Sequence, residues 1–134
     1  MADTEAVLFA NEAFYQAFTD RDLAAMDALW SRAAPVCCIH PGWTPIFGRD
    51  EVMASWAAIL GDAEAPDIGC SAARAHVLGG AAFVVCYESL GGGYLAATNV
   101  FVREGAVWKL VHHQAGSVPT PSPAQDENLE QSLH

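Results

Sequence analysis

The segment NVFVREGAVWKLVHHQAGS, residues 99–117, predicts a β-hairpin and with it the orientation of a sheet. Two strand-like runs flank Glu104-Gly105, and a two-residue loop there would pair Arg103 with Ala106. That register sets the cross-strand neighbours for the whole hairpin. We expect one largely apolar face, turned toward the rest of the protein, to carry Phe101, Trp108, Asn99, Leu110 and His112.

Further strand-like runs precede this hairpin and are separated by glycine turns. They are IGCSAARAHVL (68–78), AAFVVCYESL (81–90) and YLAATNVFVR (94–103). The spacing predicts a four-stranded antiparallel meander. If the turn Gly91-Gly92-Gly93 pairs Leu90 with Tyr94, Tyr87 joins the same inward face.

The first half of the chain is helical in pattern. Apolar spacing predicts a helix over about residues 4–19 after an Asp3 or Thr4 N-cap, a shorter one capped by Asp22, and a third over 51–60 capped by Asp50. VCCIH (36–40) indicates a short strand, and PGWTPIFG (41–48) a rigid loop. The fold class is therefore α+β, with three helices packed in a strongly curved, mainly antiparallel sheet and room for a small ligand between them.

Composition limits the function classes. The 134 residues suit a single domain, which we place at 1–118, followed by an acidic, proline-rich tail over 119–134. A net charge of −10 with scattered cations argues against nucleic acid and anionic membranes as partners. We find no secretory or transmembrane pattern and expect a cytoplasmic protein. The four cysteines lack metal-ligand spacing and are interpreted as small buried hydrophobes, so neither metal nor cofactor is predicted.

Polar residues on an apolar face need partners, because a buried polar group without a hydrogen bond costs about 1–3 kcal/mol. Asn99 and His112 are two such residues, and His40 lies in the turn segment CIHPGW, residues 38–43. They could satisfy one another or the backbone, or they could face water or a ligand. Trp43, in the loop beside His40, is a candidate for the mouth of a pocket.

These segments together resemble the SnoaL-like, or nuclear-transport-factor-2-like (NTF2-like), superfamily, which includes the ketosteroid isomerases and polyketide cyclases. The resemblance covers about residues 4–118. It rests on FTDRDLAAMDALW (18–30), on HPGW (40–43) with FGRDEVMASW (47–56), and on the hairpin segment; HPGW resembles one branch in particular. It implies a cone-shaped, cystatin-like α+β barrel with an internal pocket, commonly a homodimer through the outer face of the sheet.

The resemblance also implies roles for individual residues. His40, before Pro41, stands where the isomerases carry a catalytic aspartate, and Asn99 stands where they carry an aspartic acid that donates to the oxyanion. Phe14 replaces their tyrosine donor, and Tyr15 is turned about 100° around the helix from it. Steroid isomerisation itself is therefore not expected. Gln114 departs from a histidine run of the HPGW branch, and Gly116 from its serine, which disfavours a metal site there.

Three functions stay open from sequence. The first is a domain that binds a small, largely apolar molecule, without a cofactor. The second is an isomerase, cyclase or dehydratase that abstracts a proton, with His40 as general base and Asn99 as oxyanion donor. The third is a dimeric structural or interaction module. The predicted ligand-binding residues are Trp43, Phe14, Trp56, Tyr87, Phe101, Trp108, Leu110 and His112.

Overall fold

The computed structural model describes residues 2–120, which form three helices and six strands. It confirms the α+β class. Residues 121–134, most of the predicted tail, lie outside the described part. The helices are α1 (Asp3–Thr19), α2 (Leu23–Leu29) and α3 (Arg49–Leu60), and the strands are β1 (Cys37–Ile39), β2 (Ile46–Phe47), β3 (Ile68–Leu78), β4 (Ala81–Leu90), β5 (Gly93–Glu104) and β6 (Val107–Val118).

The helix starts agree with the sequence at α2 and differ at the other two helices. The Asp22 carboxylate accepts from the Ala25 N–H at 3.0 Å, as predicted. At α1 and α3 the N-cap residues are Ala2 and Gly48, and neither has a side-chain cap. Asp3 and Asp50 instead lie in the first turns, where a carboxylate faces the positive end of the helix dipole.

The strands form one open sheet in the order β2-β1-β6-β5-β4-β3. The predicted meander is present over β3 to β6. β1 runs parallel to β6 and pairs Cys38 with His113, so the chain just after β1 lies beside the middle of β6. The loop predicted over 41–48 contains the short strand β2, which pairs Phe47 with Cys37.

The register of the last hairpin differs from the predicted one, and the difference changes which histidine faces inward. Glu104 pairs with Val107, and Phe101 pairs with Leu110, but Val100 pairs with His112 because of a β-bulge. A bulge places an extra residue on one strand and reverses the alternation beyond it. The prediction that His112 faces inward was therefore wrong: its Nδ1 lies 2.9 Å from Cys37 Sγ on the outer face.

Tyr87 was also predicted on the inner face, and this too was wrong. The glycine turn is one residue shorter than assumed, because Leu90 pairs with Gly93 and Tyr87 with Ala96. The inner positions of β4 are consequently the even-numbered ones, and Glu88 is buried with 2% of its surface exposed. The Tyr87 phenol therefore lies on the outer face, and the Glu88 carboxyl lies on the inner face.

The core lies between the helices and the inner face of the sheet. Burying a large apolar side chain contributes about 1.5–3 kcal/mol, so this layer supplies most of the driving force for folding. Five predicted pocket residues, all at most 5% exposed, belong to it: Phe14, Trp56, Phe101, Trp108 and Leu110.

The outer face of the sheet leaves apolar side chains in contact with solvent. Phe47 is 71% exposed and Val85 is 42% exposed. Homodimerisation through this face stays a prediction, which sedimentation of the purified chain would test. Among residues 2–120, no helix combines the length and apolarity that crossing a membrane requires.

Candidate acid–base site

A cavity of about 190 Å³, open to solvent on one side, lies between α1, α3, the segment after β1 and the inner face of the sheet. Larger hollows exist between α1 and β3 and on the outer face of the sheet, but their linings do not bring two imidazoles together with a carboxyl group. The lining of the 190 Å³ cavity does bring two imidazoles and a carboxyl group together, and most of its other residues are apolar. It consists of Phe18, His40, Pro41, Trp43, Ile59, Ile68, Glu88, Leu90, Leu95 and His113.

His40 is held in one tautomer by hydrogen bonds to α3. Its Nε2 lies 2.9 Å from Ser55 Oγ, and the Ser55 hydroxyl donates to the Val52 carbonyl at 2.6 Å. Because the serine hydrogen is used, Oγ must accept from a protonated His40 Nε2. His40 Nδ1 then carries no hydrogen, and it lies 3.9 Å from Cys38 Sγ.

The His40 ring is also fixed by packing. Its centroid lies 4.9 Å from that of Trp43 and 4.7 Å from that of Trp56, both edge-on. Only 3% of its surface is exposed. Burial disfavours the imidazolium and lowers the pKa of His40 to about 4, so the ring is a neutral base at neutral pH.

His113 is held in the opposite tautomer by Asn99. The Asn99 amide donates to Asn11 Oδ1 at 2.8 Å and to Tyr15 Oη at 3.2 Å, which leaves its Oδ1 to accept from His113 Nδ1 at 2.5 Å. His113 Nδ1 therefore carries the hydrogen and Nε2 does not. The bare Nε2 lies 3.9 Å from Glu88 Oε2.

The charge state of His113 follows from its surroundings. Burial, together with the nearby His40 and His112 rings, lowers the pKa of His113 to about 3. The His40 and His113 ring centroids are 6.4 Å apart. At neutral pH the cavity therefore contains two uncharged imidazoles, each with one unprotonated nitrogen.

Glu88 supplies the carboxyl group. Burial raises its pKa, and a hydrogen bond from Tyr15 Oη to Oε2 at 2.5 Å partly offsets that rise. Burial and the neighbouring Glu88 raise the pKa of Tyr15, so its phenol stays protonated and donates. A carboxyl group with a raised pKa can hold and release a proton closer to neutral pH.

The structure does not bring all of the predicted site residues together. His40 and Trp43 line the cavity, with Trp43 48% exposed at its edge. Phe14 and Trp56 pack behind the lining, and Asn99 is fully buried with both amide hydrogens donated to protein acceptors. A donor role for Asn99 toward a ligand stays a prediction. Phe101, Trp108 and Leu110 are core residues, and Tyr87 and His112 lie on the outer face.

Two further features concern possible ligands. The indole Nε1 of Trp56 is buried and has no hydrogen-bond acceptor within the described residues, so a donor is left over next to His40. Over residues 2–120, no three or more His, Cys, Asp or Glu side chains are grouped to hold a metal ion.

The tautomers are directly testable. In ¹⁵N-correlated NMR spectra at neutral pH, we expect His40 to show Nε2–H and His113 to show Nδ1–H, because Ser55 and Asn99 accept those hydrogens. Asn99→Leu should release the His113 tautomer and leave that of His40 unchanged. A His113 ring protonated at Nε2 in the wild type would contradict the assignment.

A SnoaL-like domain model matches residues 7–121. The chain belongs to the SnoaL-like domain family. Within this family the HPGW branch stays a prediction. No curated protein matches the chain.

Solved structures agree with this assignment. A proposed dehydratase of the NTF2-like family from Streptomyces avermitilis is 36% identical over 87% of this chain and 96% of its own, with a TM-score of 0.79. A proposed calcium/calmodulin-dependent protein kinase type II association domain from Thiobacillus denitrificans is 32% identical over 81% and 92%, with a TM-score of 0.69. A protein with a cystatin-like fold from Caulobacter vibrioides, 14% identical over 97% of both chains with a TM-score of 0.73, shows the shared fold alone.

Proposed function

We propose that this SnoaL-like domain binds a small, largely apolar carbonyl compound in the cavity that His40 and Glu88 line and moves a proton on it without a cofactor. The reaction class that fits best is loss of water from a β-hydroxy carbonyl compound. The observation that carries this proposal is the pairing of neutral imidazoles with a carboxyl of raised pKa in one apolar cavity. The similarity to a proposed dehydratase supports the same class.

In this mechanism His40 is the base and Glu88 is the acid. The unprotonated Nδ1 of His40 takes the hydrogen from the carbon next to the carbonyl, and the electrons of that C–H bond form the C=C bond. The C–O bond breaks with its electrons going to oxygen, and the departing hydroxyl takes the Glu88 proton to become water. One imidazolium and one carboxylate remain.

His113 is placed to restore the starting state. Its ring lies 6.4 Å from His40 between centroids, and its bare Nε2 lies 3.9 Å from Glu88 Oε2. The low pKa of His40 favours release of the proton it has taken, and the raised pKa of Glu88 favours its return there. The proton passes from His40 to Glu88 through His113 or a water molecule.

The cavity also limits the substrate. At about 190 Å³ it is smaller than the usual pocket for a drug-sized ligand, and half of its lining residues are Phe, Ile or Leu. A short aliphatic ketone with one hydroxyl group matches this size and polarity. In this proposal Asn99 positions His113 and is not the oxyanion donor.

The proposal can be tested with diacetone alcohol, whose dehydration to mesityl oxide is followed by ultraviolet absorbance. Exchange of the α-hydrogens of cyclohexanone in D₂O reports proton abstraction without a leaving group. We expect the wild-type protein to accelerate both. His40→Gln, whose amide can still donate to Ser55, should lower both rates by about 10²- to 10⁴-fold. His76→Gln, on the outer side of β3, is the matched control and should change neither.

The two assays also separate the alternative functions. Exchange without dehydration would favour an isomerase over a dehydratase. If the protein catalyses neither reaction but mesityl oxide raises its melting temperature, the result would favour a binding domain without turnover. No reaction and no shift with either ketone would count against the cavity as a carbonyl site.

A further inference from the structure

One cysteine on the outer face of the sheet lies against an imidazole. Cys37 on β1 pairs with His112 on β6, so the two side chains are neighbours across the parallel strands and share one face. Cys37 Sγ lies 2.9 Å from His112 Nδ1. Neither residue lines the acid–base cavity. The pair is therefore a second place in the fold where a nucleophile and a base are in contact.

In its resting state Cys37 is a thiol. Burial raises the pKa of Cys37, so the sulfur keeps its hydrogen at neutral pH. The S–H group then donates to an unprotonated His112 Nδ1, and Nε2 carries the ring hydrogen. A thiol in this arrangement becomes a strong nucleophile at the moment when an electrophile approaches, because the base takes the proton as the new bond forms.

The pair has an apolar neighbour on each side. The strands β2, β1, β6 and β5 place four residues in one row across the outer face: Phe47, Cys37, His112 and Val100. Phe47 is 71% exposed, and Val100 is half-buried. An exposed apolar surface beside a reactive group favours binding of a molecule with an apolar body. A small apolar electrophile can lie along this row with its reactive carbon against the sulfur.

The four cysteines differ in how far solvent reaches them. The sequence interpreted all of them as buried hydrophobes, and the structure agrees for Cys38 and Cys86. Cys37 is half-buried and Cys70 is exposed. The Cys70 sulfur lies 3.9 Å from Asn11 Nδ2, so its neighbour is an amide donor rather than a base. Cys70 is thus a more exposed thiol in a different chemical setting, which makes it an internal control for Cys37.

We propose that Cys37 and His112 form a nucleophilic pair that captures α,β-unsaturated carbonyl compounds covalently. The Cys37 sulfur attacks the β-carbon, so that an S–C bond forms and the electrons of the C=C bond move toward the carbonyl as an enolate. His112 Nδ1 takes the thiol hydrogen as the S–C bond forms. It then gives that hydrogen to the α-carbon, so the ring ends as it began. The product is a thioether, and the step needs no oxidant and no leaving group.

The contact between thiol and imidazole favours this class of electrophile. Conjugate addition moves one proton from sulfur to carbon, and an imidazole in contact with the thiol can both accept that proton and return it. Compounds of this class are also the products of the proposed dehydration. The pair lies on the opposite face of the sheet from the acid–base cavity, so it acts on such compounds whether or not the cavity forms them.

The test follows the addition of cyclohex-2-enone to the full chain at neutral pH by peptide mapping. Trypsin cleavage at the arginines puts Cys37 and Cys38 in peptide 33–49, Cys70 in 50–74 and Cys86 in 75–103. We expect peptide 33–49 to gain one cyclohexenone, located at Cys37 by fragment sequencing, at least about 10-fold faster than peptide 50–74. Exposure alone predicts the reverse order, because Cys70 is the more exposed thiol. In urea, where the contact with His112 is lost, the two rates should become similar.

Matched variants separate the thiol from its base. Cys37→Ser should abolish the fast addition without transferring it to Cys38. His112→Gln should slow addition at Cys37 by about 10-fold or more and leave Cys70 unchanged, whereas the outer-face variant His76→Gln should change neither rate. Addition at Cys70 that is as fast as at Cys37 in the folded wild type, or an unchanged Cys37 rate in His112→Gln, would overturn the proposal. Because these readouts are masses of labelled peptides, they are independent of whether the cavity catalyses dehydration.

Discussion

Glu88→Gln is expected to reduce the dehydration of diacetone alcohol by about 10²- to 10⁴-fold, the usual contribution of a general acid. Glutamine keeps the shape of the side chain and can accept the hydrogen bond from Tyr15, now made to Glu88 Oε2 at 2.5 Å. It cannot give a proton to a leaving hydroxyl. The loss should appear in kcat, with KM changed little, because the proton is transferred only in the transition state.

Two comparisons distinguish a lost proton from a damaged fold. Glu51→Gln makes the same chemical change at an exposed position on α3 and should leave the rate unchanged. Urea unfolding of Glu88→Gln should show no loss of stability, because the substitution removes a carboxyl whose charged form is disfavoured by burial. Full dehydration activity in a folded Glu88→Gln protein would exclude Glu88 as the acid.

The fold was predictable because its signals are local. Helical spacing and glycine turns mark where each long element begins and ends, and the order of elements then leaves few arrangements. β2 was missed because two paired residues in a proline-containing loop have no periodicity to detect. Its pairing with β1 depends on contacts that only the folded chain makes.

The site was less predictable because a sheet face depends on every turn and bulge before it. A shift of one residue reverses all side chains of a strand. Because of the bulge opposite Val100, His113 faces inward and not His112. Because the turn at Gly91-Gly92 has two residues, Glu88 faces inward and not Tyr87. Residues 81–87 are mostly apolar at odd and even positions alike, so periodicity in this run gave no signal that Glu88 faces inward.

Tyr15 illustrates a second limit. Its position 100° from Phe14 suggested a different environment, yet both are at most 5% exposed, because the curved sheet and the neighbouring helices cover a wide face of α1. A helix packed inside a sheet has more than one buried stripe. The spacing of Asn11 and Tyr15, four residues apart on one side of α1, could have indicated the polar network around Asn99.

Acidification below pH 6.5 is expected to destabilise the protein through the buried histidines. In the unfolded chain each titrates near 6.5, whereas the folded-state pKa is about 4 for His40 and about 3 for His113. Between these values the unfolded state binds protons that the folded state does not. The stability contributed above pH 6.5 is thus lost as the pH falls toward 4, by about 1.4 kcal/mol per pH unit for each histidine.

Glu88 changes the free energy of unfolding with pH in the opposite direction, so its contribution is subtracted from that of the two histidines. Its folded-state pKa is raised above 4.5, so within the interval up to that raised pKa the folded state holds one proton that the unfolded state has released. In that interval two protons bind on unfolding through the histidines and at most one is released through Glu88. The net effect still favours unfolding at lower pH, with a loss between about 1.4 and 2.8 kcal/mol per pH unit.

Urea unfolding between pH 7.5 and 4.5 measures this dependence, and His113→Asn isolates the contribution of one ring. The asparagine amide nitrogen takes the place of Nδ1 and can still donate to Asn99 Oδ1, which His113 Nδ1 now contacts at 2.5 Å, but it does not titrate. The variant should therefore lose less stability on acidification, by about 1.4 kcal/mol per pH unit, while the outer-face variant His76→Gln should follow the wild type. Identical pH slopes for wild type and His113→Asn would mean that His113 is protonated in the folded state. The unprotonated Nε2 assigned to it beside Glu88 would then be lost, and with it the route by which Glu88 recovers its proton.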